Sequence, residues 1–140
     1  MKKAAWFFTG CRAFIVRNVD VISDLDLNEV IRDHFKSLPL ATLVVRERKT
    51  VRNFLFDGAM TLCGWENLET GEKIIPRPGR EPLRLYAFSG IQVMDPGILG
   101  LMKEERKFSL TEMYLRLATE HYIKGYTDHA SFWKDVGKPD

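Results

Sequence analysis

One stretch constrains this chain more than any other: Ala13-Phe14-Ile15-Val16-Arg17-Asn18-Val19-Asp20-Val21-Ile22. It is apolar and β-branched, with polar residues only toward its end. Such a run reads as a buried strand, covered on both faces. A helix start follows. Ser23-Asp24-Leu25-Asp26 is a turn and cap, and Asp26 with Glu29 has capping-box spacing, Asp standing where Ser or Thr is usual. Leu27, Val30, Ile31, His34 and Phe35 then recur at helical spacing and define one buried face. Pro39 closes that helix, and residues 40–47 read as a second buried strand.

The same alternation continues. Phe54-Leu55-Phe56 and Met60-Thr61-Leu62-Cys63 flank Asp57-Gly58-Ala59, a hairpin turn. Residues 66–82, rich in charge, Gly and Pro, read as a surface loop. Residues 84–94 form a strand with Gly90 inside it, and such a glycine marks close approach of a ligand or another backbone. Asp95-Pro96 starts a short helix. A longer helix starts at Ser109, with Ser109 and Glu112 as capping box and Phe108 stapling to Met113. Its buried face is Leu110, Met113, Tyr114, Leu117 and His121. The final segment reads as two short strands around a turn at Asp128-His129. Strands alternating with helices predict an α/β domain with a mixed, mostly parallel sheet and flanking helices.

At 140 residues the chain is long enough for a single domain with a hydrophobic core. A net charge of +2 is too small to argue for nucleic acid. Arg46, Arg48, Lys49 and Arg52 are dispersed among acids and read as a solvated strand end and turn. No apolar run approaches the roughly 20 residues needed to span a bilayer. The start, Met1 to Phe8, superficially resembles a signal peptide, but Thr9-Gly10-Cys11-Arg12 interrupts it without a cleavage site. The expected setting is cytoplasmic. Cys11 and Cys63 lack metal-ligand spacing and read as reduced, partly buried thiols.

Two acidic positions are candidates for chemistry. Asn18-Val19-Asp20 puts a carboxylate near the C-terminal end of a buried strand, the sheet edge where ligands bind in open α/β folds. An unpaired carboxylate there is costly, so it calls for a partner or a cation. Trp133-Lys134-Asp135-Val136-Gly137 is a second aspartate in an apolar strand setting. On pattern alone, each also reads as a strand-end turn residue or a helix cap.

Three segments in order resemble the sugar-1-phosphate nucleotidyltransferase family, in the branch of N-acetylmuramic-acid-1-phosphate uridylyltransferase and mannose-1-phosphate guanylyltransferase-like proteins. Residues Phe14 to Val21 resemble the family's strand ending in Asn-x-Asp. Phe88-Ser89-Gly90-Ile91 resembles its sugar-side strand, and Phe132 to Gly137 its Trp-x-Asp-x-Gly motif. The resemblance runs over nearly the whole chain. It implies a Rossmann-like fold and a reaction of sugar-1-phosphate with a nucleoside triphosphate, giving a nucleotide sugar and pyrophosphate. It also implies Mg2+ held by Asp20 and Asp135, with substrate contacts from Asn18, Glu66, Ser89 and Gly90. Magnesium suits such a site because it prefers oxygen ligands and screens two phosphates forced together. The family's Glu-Lys-Pro segment falls at Trp65-Glu66-Asn67, where the lysine is absent. Lys2 and Lys3 lie just after the position of the family's nucleotide-side glycines.

The family's opening Gly-rich loop, which would cradle a triphosphate, has no counterpart. The resemblance therefore implies one truncated catalytic domain over residues 1–140 that lacks the N-terminal nucleotide-binding strands and is weakly active or inactive alone. Truncation would leave a sheet edge to be covered by self-association or a partner chain. Two other readings stand beside the enzyme: a non-catalytic sugar-phosphate-binding or regulatory module, and a plain interaction domain.

Overall fold

The computed structural model describes residues 13–17, 21–79, 82–101, 110–128 and 133–135, with backbone alone for a few of them. The long apolar run divides into β1 (Phe14–Arg17) and β2 (Val21–Ser23). Helix α1 (Leu27–Ser37) follows, with Asp26 as its N-cap, the carboxylate accepting from the Asn28 amide at 3.0 Å. The reciprocal half of the capping box is not what Glu29 supplies: its Oε2 accepts from the Tyr126 hydroxyl at 3.2 Å. Leu38 ends the helix in the left-handed region, and its amide bonds the His34 carbonyl.

Next come β3 (Ala41–Arg46), β4 (Arg52–Phe56), β5 (Leu62–Asn67), β6 (Lys73–Ile74) and β7 (Arg84–Met94). A 3-10 helix at Pro96–Leu101 is capped by the Asp95 carboxylate on the Gly97 amide at 2.7 Å. Helix α2 (Leu110–Ala118), β8 (Ile123–Thr127) and β9 (Trp133–Asp135) complete the order. Ser109 and Phe108, the predicted cap and staple of α2, lie outside the described residues, as does Cys11; His121 lies past the helix end, its amide bonding the Leu117 carbonyl. Cys63 is buried and its thiol donates to the Thr61 carbonyl at 3.4 Å.

Seven described strands form one sheet in the order β6-β5-β4-β7-β3-β8, with β1 also on β7; β2 and β9 form a separate pair. The sheet is mixed and flanked by helices, but its pairing is mostly antiparallel rather than mostly parallel. Among the described pairs only β3 with β8 runs parallel. The reason lies in β7. Strands β1 and β3, joined through α1, run the same way, yet both pair antiparallel with β7, which is inserted between them. The final segment is corrected too: β8 joins the large sheet and β9 pairs with β2, so the two are not a hairpin.

The hairpin between β4 and β5 is built as expected. Asp57 holds its turn through bonds from the Ala59 and Thr61 amides at 2.9 and 3.0 Å. Its tip reaches β8, where the Gly125 amide bonds the Met60 carbonyl at 2.9 Å. A Cβ on Gly125 would lie 2.8 Å from both Met60 Cε and Phe56 Cε1, so a larger residue there would have to displace those side chains.

The sheet's two faces carry separate cores. On one side α2 packs Met113, Tyr114 and Leu117 against Phe14, Leu43, Val45, Phe54, Phe56, Leu62 and Tyr86. On the other, α1 packs Val30 against Val44, Ile91 and Val93. No described helix is long and apolar enough to cross a membrane.

Candidate functional site

Strand β7 is eleven residues long because it serves two neighbours along one edge. Its C-terminal part, from Ile91 to Met94, pairs with β1, and its N-terminal part, from Arg84 to Tyr86, pairs with β4. Residues 87–90 face neither in these registers, so the edge is split. At this split β1 ends at Arg17, opposite Ile91, and β4 begins at Arg52. On the other edge of β7 the register with β3 shifts between Leu43 and Val45, so that extra β7 residues oppose Val44. Gly90 carries the irregularity at φ 79°, a conformation that favours glycine. A split where the chain order around a sheet changes is where open α/β folds leave room for ligands.

The predicted residues distribute around it as follows. Ser89 and Gly90 are at the split itself, and Ser89 is buried at 1% exposure. Glu66 is in strand β5, half-buried, rather than in a surface loop; it faces Asn53 of β4 on one side and Lys73 of β6 on the other. Asn18 and Asp20 lie outside the described residues, in the connection from Arg17 to Val21. Asp135 is described by its backbone alone, in β9, where it pairs with Val21, the residue after Asp20. Lys2 and Lys3 also lie outside the described residues. No group of three or more His, Cys, Asp and Glu capable of holding a metal is gathered among the described residues.

Residues that the sequence did not single out also belong to this region. Asn53 is buried, its amide donating to the Thr50 carbonyl at 3.0 Å. Arg46 is not part of a solvated strand end: its side chain is 21% exposed and lies 3.7 Å from the carboxylate of buried Asp128. The Asp128 amide in turn bonds the Val45 carbonyl at 2.8 Å, which fixes the residue predicted as a turn against the end of β3. The signal for this pair was faint, a basic residue closing one apolar strand and an acidic residue following another.

Farther along β3 and α1, the surroundings are polar but closed. His34 Nδ1 lies 2.8 Å from Thr42 Oγ1, and burial holds its imidazole below the usual histidine range, against the pull of Asp95 and Asp33. Lys124 pairs with Asp33 at 2.8 Å. These contacts dock α1 on the sheet and leave the split open to other work.

Comparison with known proteins bears on the fold. The sequence matches no family model and no curated protein. Among solved structures, it is similar to HddC from Yersinia pseudotuberculosis, determined alone and complexed with GMP-PN. That match has 17% identity and a TM-score of 0.69, covering 99% of this chain and 55% of that one. It is also similar to a Bacillus anthracis protein named as a glucose-1-phosphate thymidylyltransferase, solved with sucrose. There the identity is 15% and the TM-score 0.70, covering 97% of this chain and 53% of that one. The chain thus spans about half the length of these structures, and over that half it has a nucleotidyltransferase-like fold.

Proposed function

We propose that this chain is the sugar-phosphate side of a sugar-1-phosphate nucleotidyltransferase, which joins sugar-1-phosphate to a nucleoside triphosphate and releases pyrophosphate. The observation that carries this reading is the antiparallel register of β2 with β9. It puts the backbone of Asp135 across from that of Val21, which follows Asp20 in the sequence. Asp20 and Asp135 would hold Mg2+, for which carboxylate oxygens are suitable ligands. The ion would supply charge neutralisation and orientation of the phosphates. Glu66, Ser89, Gly90 and Asn18 would meet the sugar at the split in the β7 edge. The nucleotide half of the site would come from elements outside the matched half of the fold, so the chain alone is inactive or weakly active.

Calorimetric titration with MgCl2 and hexose 1-phosphates tests this. Metal-dependent binding is expected in the chain as given, and Asp20→Asn and Asp135→Asn are each expected to abolish it. Retention of metal binding in both variants would overturn the assignment. Robust pyrophosphate release would overturn the claim of inactivity alone.

A second reading, a non-catalytic sugar-phosphate-binding module, is favoured by Asn67 following Glu66 where the resemblance calls for lysine. Binding of sugar phosphate without any effect of magnesium or nucleotide would favour it. Self-association fits either reading. Strand β1 pairs on one edge only among the described strands, and Ile15, at 37% exposure, lines an apolar groove of about 380 Å³ with Ala13, Ile31, Phe35 and Val93. Light scattering across a concentration series checks this; a monomer throughout would dismiss it.

A further inference from the structure

The apolar stripe of α1 is wider than the sheet beneath it. Val30 and His34 are buried, while Ile31 and Phe35, the next residue after each, stay half-buried. The reason is the end of the sheet. Strand β1 pairs with β7 and has no second neighbour among the described strands. Ile31 and Phe35 share an apolar groove of about 380 Å³ with Ala13, Phe14 and Ile15 of that edge and with Val93, which lies opposite Ile15 on β7. None of these lining residues is charged or polar, so the groove offers nothing to a polar ligand. Contiguous apolar surface of this kind marks a place where something docks.

We propose that the groove is the docking site of this chain's own segment Trp6-Phe7-Phe8, whose aromatic side chains fill it in cis. The described chain begins inside the groove, at Ala13. Residues 1–12 precede it and lie outside the described residues. They carry Ala4-Ala5-Trp6-Phe7-Phe8, an unbroken apolar run, and leaving its rings in water would forgo much apolar burial. Thr9-Gly10-Cys11-Arg12 joins that run to Ala13, the length of an ordinary connection between packed elements. At about 3.6 Å per residue, Phe8 is held within roughly 18 Å of Ala13, and Trp6 within roughly 25 Å. A tether this short gives an effective concentration in the millimolar range, which favours the same chain over a second copy. The volume agrees: a cavity of about 150 Å³ takes one benzene ring, so the groove admits about two aromatic side chains. Residues 102–109 do not compete, since they include Lys103-Glu104-Glu105-Arg106-Lys107 and lead into α2, on the opposite face of the sheet. This docking is independent of the sugar-phosphate reading.

The test uses the full, unsubstituted chain with isoleucine methyl groups labelled for NMR, so no variant has to fold. Nuclear Overhauser effects are expected from the ring protons of Trp6, Phe7 or Phe8 to the methyls of Ile15 and Ile31. Their absence would overturn the proposal. So would effects seen only between labelled and unlabelled chains in a mixed sample, which would make a second copy the occupant. Fluorescence gives an independent reading. Trp6→Phe keeps an apolar ring, and the emission it removes should be that of a buried indole, at shorter wavelength than free tryptophan. Phe8→Ser should shift that component to longer wavelength. Removal of a solvent-like component by Trp6→Phe would overturn the proposal. The magnesium titration of Asp20→Asn and Asp135→Asn reads the nucleotidyltransferase assignment separately.

Discussion

The two faces of the sheet are built on opposite plans. The face under α2 is almost wholly apolar: Phe54 stacks edge-on with Phe56 and Phe88, and Phe56 with Tyr86. Within it the Tyr114 hydroxyl donates to Gln92 Oε1, both residues fully buried. Burial drives the Tyr114 phenol well above its ordinary range, so it stays neutral and remains a donor. The face under α1 has a small apolar cluster and a series of polar pairs: His34 with Thr42, Lys124 with Asp33, Arg46 with Asp128. Buried polar groups are costly unless paired. A fold that places them on one face has its apolar stabilisation concentrated on the other.

Breaking the apolar face should have the largest effect. Phe56→Ala removes a fully buried ring at the centre of three aromatic side chains. A loss of about 3–5 kcal/mol is expected from urea denaturation, enough to unfold a marginal domain. A smaller, more diagnostic effect is expected at the polar pair on that face. Tyr114→Phe and Gln92→Leu should each cost about 1–3 kcal/mol by leaving a buried partner unmatched. The double variant should cost less than the sum; strict additivity would show that the hydrogen bond contributes nothing.

The smallest effect is expected on the α1 face, from pH. The folded pKa of His34 is depressed below 6.5 because burial disfavours the imidazolium. Between that depressed value and 6.5, the unfolded chain binds more protons than the folded one. Stability therefore rises with pH through this window, is complete above 6.5, and is lost as pH falls below it. The urea midpoint should drop on going from pH 7.5 to 5.5. His34→Gln should flatten the slope while keeping a partner for Thr42. An unchanged slope in the variant would assign the effect to other groups.

Much of this architecture was legible in local pattern. Strand 84–94, the Asp26 cap, the turn at residues 57–59 and the Asp95 cap before Pro96 stand as read, because each depends on neighbours in the chain. Pairing direction was not legible. The β1-α1-β3 pattern suggests two adjacent parallel strands, and nothing local announces that β7, forty residues later, separates them. Glu66 was visible as a candidate but misread as lying in a loop, since charged residues near an edge strand look like a turn. Arg46 read as a solvated strand end and Asp128 as a turn residue because their encounter depends on β8 returning beside β3.

The sequence by itself determined the caps at Asp26 and Asp95, the turn at residues 57–59 and which side chains are apolar, since caps, turns and periodicity act over a few residues. Only the tertiary structure decided which strands are neighbours, and hence that Glu66 faces Asn53 and Lys73 and that Arg46 meets Asp128. Cross-strand register is a property of distant segments, fixed when both faces of the sheet are buried at once, and no local pattern encodes it.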